Sequence, residues 1–146
     1  MKQSKLALLA ALPAAIFAAN ASADVQVYGK INVSLDSIDS EAAGTDDFQL
    51  NSNASRVGFK GSYDINDNLK AIFKLEYGTD VTDGGTFTRR NIIGGFQGDF
   101  GTVVAGTHDT PFKVSQGKVD LFNDQAGDIT NVLVGDVRAR NVIQYS

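Results

Sequence analysis

Few side chains in this sequence could carry out catalysis. His108 is the single histidine and there is no cysteine, which excludes thiol nucleophiles, disulfides and metal sites built from two histidines or from thiolates. His108 stands beside Asp109, but no serine follows the nucleophile-elbow pattern of a Ser-His-Asp hydrolase. The sequence therefore predicts no enzyme, no metal site and no bound cofactor.

Charged side chains carry the remaining chemical information. Basic residues recur at alternate positions in the first half of the chain, at Lys30, Arg56, Lys60, Lys70 and Lys74. Acidic residues gather in a later segment, residues 107–137, at Asp109, Asp120, Asp124, Asp128 and Asp136. Because the two groups are far apart in sequence, their function depends on the fold that brings them together.

The overall charge argues against a nucleic-acid partner. The chain has 13 basic and 17 acidic residues, which gives a formal net charge of −4. Nucleic-acid binders usually carry a basic surface and a high isoelectric point. We therefore expect no nucleic acid among its partners.

The first 23 residues have the pattern of a cleaved export signal. Lys2 and Lys5 precede an apolar run over residues 6–19, and Ala21-Ser22-Ala23 follows it. Small residues at the two outer positions of that triplet fit a signal-peptidase site. The apolar run is shorter than the roughly 20 residues that a membrane helix needs. We expect residues 1–23 to be removed and residues 24–146 to belong to one exported domain.

Apolar and polar residues alternate from Val25 onward, which predicts β-strands with one apolar and one polar face. The first run places on one face Val25, Val27, Gly29, Ile31, Val33 and Leu35. Residues 56–64 and 69–77 repeat the pattern around a turn at residues 65–68, as in a β-hairpin. Three more strands are predicted over residues 90–97, 102–106 and 138–145. Residues 37–54 and 79–88 are predicted as long loops, and no helix is predicted after residue 23.

These strands favour an all-β, antiparallel transmembrane β-barrel. Their lengths, about nine to eleven residues, suit a tilted crossing of the bilayer. Short turns alternate with long loops, and Tyr63 and Tyr77 stand at the two ends of the hairpin's apolar face, where aromatic girdles form. Two alternatives remain open, a small structural outer-membrane barrel and a soluble exported β-sheet binding protein.

In a barrel, the basic and acidic side chains would face each other across the lumen. The basic residues lie on the polar faces of the first strands, so in a barrel they would line one wall of the lumen. An acidic loop folded inward opposite that wall would create a transverse field that favours small polar solutes. The alternative is a solvated basic face and an acidic surface loop.

Several ordered motifs resemble those of a known family. They are Tyr28-Gly29, Ser55-Arg56-Val57-Gly58-Phe59-Lys60-Gly61 with Asp64, Leu69-Lys70-Ala71-Ile72-Phe73-Lys74-Leu75-Glu76, Gly95-Phe96-Gln97-Gly98-Asp99-Phe100-Gly101-Thr102-Val103, and Arg138, Asn141, Ile143 and Tyr145. Together they resemble the N-terminal part of the Gram-negative general porins.

The resemblance implies a barrel of about 16 strands, usually a homotrimer in the outer-membrane bilayer, with the loop after strand five folded inward. It also implies passive diffusion of small hydrophilic solutes and ions. One departure is Thr107, which stands where many relatives carry an arginine of the basic wall.

The strand count gives a further expectation. The smallest membrane barrels have about eight strands, whereas about six strands are predicted here. We therefore expect an open, curved sheet of about the first six strands of the barrel, with the acidic segment against its concave polar face. We also expect the natural gene product to continue beyond Ser146.

Overall fold

The structure is a computed structural model that describes residues 23–146 apart from residues 41–44, Lys118 and Ala126. Its strands are β1 (Asp24–Lys30), β2 (Val33–Ser40), β3 (Thr45–Ser52), β4 (Arg56–Asn66), β5 (Leu69–Gly78), β6 (Thr88–Gly98), β7 (Gly101–Asp109) and β8 (Arg138–Tyr145). A short helix, α1 (Pro111–Ser115), and a 3-10 helix (Ile129–Asn131) lie between β7 and β8. In these described residues no helix is long and apolar enough to cross a membrane.

Six strands form one open antiparallel sheet in the order β1-β4-β5-β6-β7-β8. The predicted hairpin is present, because β4 pairs with β5 from Arg56 opposite Gly78 to Asn66 opposite Leu69. The amide of Asn68 donates to the side-chain oxygen of Asn66 at 3.0 Å and closes the turn. The predicted all-β antiparallel architecture is confirmed.

The outer face of this sheet is apolar and exposed. Exposed fractions are 64% for Val27, 42% for Phe59, 50% for Phe96 and 80% for Ile143. Among the described hydrophobic residues only Val104 is buried, at 6% exposure. A soluble sandwich would cover such a face with a second layer, whereas a membrane barrel presents it to lipid. The structure therefore favours the barrel over the soluble alternative.

The first predicted strand is interrupted, which corrects the continuous alternation read from residues 25–35. β1 ends at Lys30 and β2 begins at Val33. Between them, the fully buried Ser55 hydroxyl accepts from the amide of Asn32 at 3.0 Å and donates to its carbonyl at 3.1 Å. These bonds hold the chain where β2 leaves the main sheet.

Residues 37–54 were predicted as a long loop, and this prediction was wrong over most of the segment. β2 pairs with β3 in a separate two-stranded sheet, from Val33 opposite Ser52 to Ser40 opposite Thr45. The mostly polar composition of β3 concealed it, because only Phe48 and Leu50 alternate with polar residues there, a run too short to indicate a strand.

The expectation of no helix was also wrong. Helix α1 starts at Pro111, and the Thr110 hydroxyl caps it by accepting from the amide of Lys113 at 3.3 Å. Threonine followed by proline is a helix-start signal. A helix of five residues is too short to show the apolar period by which helices are recognised.

Candidate functional site

The segment between β7 and β8, residues 110–137, lies against the polar face of the sheet. We call it the inner loop. It encloses with the sheet a cavity of about 910 Å³ whose lining is rich in charged residues of both signs: Lys30, Arg56, Arg90, Lys113 and Arg138, with Asp109, Asp120, Asp124, Asp128 and Asp136. The basic and acidic groups separated in sequence thus face each other across one space.

Ion pairs and hydrogen bonds join the two ends of the inner loop, where it leaves β7 and enters β8. Arg138 Nε lies 2.9 Å from Asp109 Oδ1, and the Asn91 side chain both donates to Asp109 Oδ2 and accepts from the Asp109 amide. Within the inner loop, Lys113 of α1 pairs with Asp136, which lies shortly before β8. Asp109, predicted as an acidic residue of the constriction loop, is the last residue of β7 and lines the cavity with its carboxylate paired to Arg138.

The far part of the inner loop contacts the main sheet and Asn53, the residue that follows β3. Lys30 Nζ lies 3.7 Å from Asp124 Oδ2, and the Asn53 side chain donates to Gln125 Oε1 at 3.4 Å. Contacts at both ends hold the loop across the polar face.

Two loop aspartates are held by hydrogen bonds within the loop itself. The carboxylate of Asp120 accepts from the amides of Phe122 and Ile129, each at 3.0 Å. Asp128 accepts from the hydroxyl and amide of Thr130, which lowers the pKa of that carboxyl below its ordinary value. These hydrogen bonds therefore fix the orientation of both carboxylates.

The basic residues divide into three groups along the sheet. Lys30 and Arg56 are cross-strand partners and line the large cavity. Lys60 and Lys74 oppose each other on β4 and β5 and line a second cavity of about 320 Å³. Lys70 lies at the turn end, 3.1 Å from Asp64 and half exposed. The structure thus places Lys30 and Arg56 opposite Asp120, Asp124 and Asp128, and it separates Lys70 from them.

Sequence reasoning missed Arg90, which lines the cavity. Strict alternation puts Arg90 on the same face as Ile92, the outer face. The pairing of β5 with β6 is irregular between Leu75 and Tyr77, which oppose Ile92 and Arg89. β6 therefore carries one extra residue there, and a bulge of this kind reverses which face a side chain takes.

Glu76 and Tyr28 were missed as well. Glu76 is buried at 5% exposure, accepts from the Tyr28 hydroxyl at 2.9 Å and pairs with Arg90 at 2.9 Å. An acidic residue among lysines on a polar strand face looks like an ordinary solvated charge, so no sequence signal marked it. Thr107, the position at which the family resemblance suggested an arginine of the basic wall, does not line the large cavity.

Comparison with known proteins identifies the family. Over residues 6–146 the sequence matches the family described as Gram-negative porin. The chain belongs to this family. It is 35% identical over 144 residues to the major outer membrane protein P.IB of Neisseria gonorrhoeae, covering 91% of this chain and 39% of that protein. The P.IB protein of Neisseria sicca is 38% identical over 148 residues, covering 94% and 40%.

Further porins agree in sequence and in fold. Outer membrane porin protein 32 of Delftia acidovorans is 33% identical over 130 residues, covering 84% of this chain and 36% of that one. A solved anion-selective porin from Comamonas acidovorans superposes with a TM-score of 0.61 at 28% identity, over 68% of this chain and 32% of that one. The chain thus spans about 39% of the length of the relatives it matches. These porin relatives indicate the outer membrane as its location.

Proposed function

We propose that this chain forms part of the wall and the constriction of a water-filled outer-membrane channel for passive diffusion of small hydrophilic solutes and ions. The observation that carries the proposal is the cavity where Asp120, Asp124 and Asp128 of the inner loop lie opposite Lys30 and Arg56. The apolar outer face of the same sheet supports a lipid-facing wall.

Diffusion through such a site needs no covalent step. Fixed charges of opposite sign on two sides of a narrow passage create a transverse field, and a dipolar solute lowers its energy by turning along it. Apolar solutes gain nothing from this field and must displace water that solvates the charges. The passage therefore favours small polar solutes and ions, and its geometry points to a channel rather than an enzyme.

Ion selectivity of the complete gene product in planar bilayers tests the proposal. Neutralising Asp124 with Asp124→Asn should raise the anion-to-cation permeability ratio, and Lys30→Gln should lower it, each by roughly twofold for one unit charge about 10 Å from the ion path. Asp64→Asn is the matched control, because Asp64 pairs with Lys70 at the turn end. Absence of solute flux into liposomes from wild-type protein would favour the structural barrel instead.

Export and assembly complete the proposal. Residues 1–22 lie outside the described part of the chain, and their sequence supports a signal peptide cleaved before Asp24. Mass spectrometry of the exported protein should find Asp24 at the N-terminus, and a mature protein that retains Met1 would contradict cleavage. Resemblance to trimeric porins supports a homotrimer, which chemical cross-linking in the membrane would detect as a three-chain product.

A further inference from the structure

We propose that Glu76 is a specificity-determining residue of this channel. Its buried carboxylate is a fixed counter-charge within the basic wall, and it limits how strongly that wall prefers anions. The inference rests on the proposed channel function and adds a residue that lies behind the cavity rather than in its lining.

The contacts of Glu76 are those of a carboxylate anion. Oε1 accepts from Arg90 Nε at 2.9 Å, Oε2 accepts from the Tyr28 hydroxyl at 2.9 Å, and Lys74 Nζ lies 3.4 Å from Oε2. The side chain is 6% exposed. A buried carboxylate is stable when partners of this kind compensate its lost hydration. The partners come from β1, β5 and β6, so the charge is held by the sheet.

The surroundings of Glu76 are positive on several sides. Lys60 and Lys74 are direct cross-strand partners, and like charges in that position repel. Both ammonium groups lie within 6 Å of the Tyr28 ring centre, at 5.7 and 5.9 Å. Tyr28 therefore contacts both lysines with its ring and Glu76 with its hydroxyl. Arg56, the cross-strand partner of Lys30, has no ion pair in the part of the chain that the structure describes.

The position of Glu76 distinguishes it from other acids. Asp64 lies on β4 at the turn end, where it pairs with the half-exposed Lys70. The loop aspartates lie across the cavity. Glu76 instead lies between Lys74 and Arg90 within the wall itself. Its negative charge therefore reduces the positive potential of the wall where the basic side chains lie closest together.

Glu76→Gln removes this charge and retains one acceptor oxygen of similar placement. In bilayers containing the complete gene product we expect its anion-to-cation permeability ratio to rise about twofold or more, the effect of one unit charge roughly 10 Å from an ion in water. Arg90→Gln should lower the ratio by a similar factor. The double variant, Glu76→Gln with Arg90→Gln, should return to the wild-type ratio.

Two control variants separate charge from structure. Tyr28→Phe removes a hydrogen bond to Glu76 but no charge, so the folded fraction of this variant measures what the bond alone contributes to structure. Asp64→Asn removes one negative charge at the turn end and should leave the permeability ratio unchanged. If Glu76 were purely structural, Tyr28→Phe and Glu76→Gln would lose similar amounts of folded protein. The permeability ratio would then not rise in Glu76→Gln and fall in Arg90→Gln.

The outcomes also separate this inference from the channel proposal. An unchanged ratio in folded Glu76→Gln, alongside a shift in Asp124→Asn, would overturn the role of Glu76 and leave the channel standing. Absence of conductance from wild-type protein would overturn the channel itself. If Glu76→Gln alone does not fold, the double variant is compared with Arg90→Gln, and equal permeability ratios in these two would overturn the inference.

Discussion

Lys30 and Asp124 meet across the polar face of the sheet, with Nζ and Oδ2 3.7 Å apart. Lys30 is the last residue of β1, and Asp124 lies in the inner loop with a left-handed backbone, at φ 66°. Aspartate tolerates this conformation better than most residues. The pair joins the earliest strand of the sheet to the segment that follows its fifth strand.

Removing this pair should loosen the inner loop without unfolding the sheet. Lys30→Gln should speed amide exchange in peptides covering residues 119–133 by at most about fivefold, because partly exposed ion pairs contribute up to about 1 kcal/mol. Hydrogen-exchange mass spectrometry of the refolded protein measures the effect. Lys70→Gln breaks a pair at the turn end and should leave these peptides unchanged. Equal exchange in Lys30→Gln and wild type would show that the pair does not hold the loop.

The buried hydroxyl of Ser55 should contribute strongly to stability. Ser55→Ala removes the acceptor for the Asn32 amide, and leaving such a backbone group unsatisfied costs about 1–3 kcal/mol. The Asn32 carbonyl keeps the Asn53 amide as a donor at 2.7 Å. The urea midpoint of unfolding from lipid vesicles should fall accordingly. Ser62→Ala, on the half-buried part of β4, should stay within about 0.5 kcal/mol of wild type. A similar midpoint for both variants would contradict this prediction.

Gly58 provides the space that the Tyr28 ring occupies. A Cβ added there would lie 2.5 to 2.8 Å from three atoms of Tyr28, whereas one added at Gly94 would meet nothing within 4 Å. Gly58→Ala should therefore displace Tyr28, lose its bond to Glu76 and cost about 1–3 kcal/mol. Gly94→Ala should be neutral or slightly stabilising, because alanine loses less backbone entropy. Urea unfolding compares the two, and equal stability would contradict the role of Gly58.

The inner loop should loosen in acid. The Thr130 hydroxyl and amide lower the folded-state pKa of Asp128 below its unfolded value, which is about 3.9. A lowered pKa means that the ionised carboxylate stabilises the fold fully above about pH 4 and that this contribution is lost as the pH falls through the folded-state value. Amide exchange around residues 129–133, corrected for intrinsic rates, should therefore rise in that range.

Two variants check the assignment to Asp128. Asp128→Asn should show the loosened loop at every pH and lose this part of the pH dependence. Thr130→Val removes the hydroxyl donor and should move the transition to higher pH. A transition that is unchanged in Asp128→Asn would assign it to another carboxylate.

The sequence by itself determined the strands that cross the sheet and the charge of its polar face. Alternation located β4, β5 and β8 because one face of each strand is apolar and the other polar, and the period of two follows from strand geometry alone. The lysines at positions 30, 60 and 74 were assigned to the polar face for the same reason. Family resemblance then placed the inner loop against that face.

Tertiary structure decided which charges meet. A bulge in β6 brings Arg90 to Glu76, and a bulge depends on pairing with the neighbouring strand, which a local pattern does not contain. The hairpin of β2 and β3 and the engagement of Asp109 by Arg138 also depend on partners distant in sequence. Composition and alternation specify a strand and its faces, but contacts between strands and loop specify the electrostatics of the site, because charge interactions are set by distance and burial.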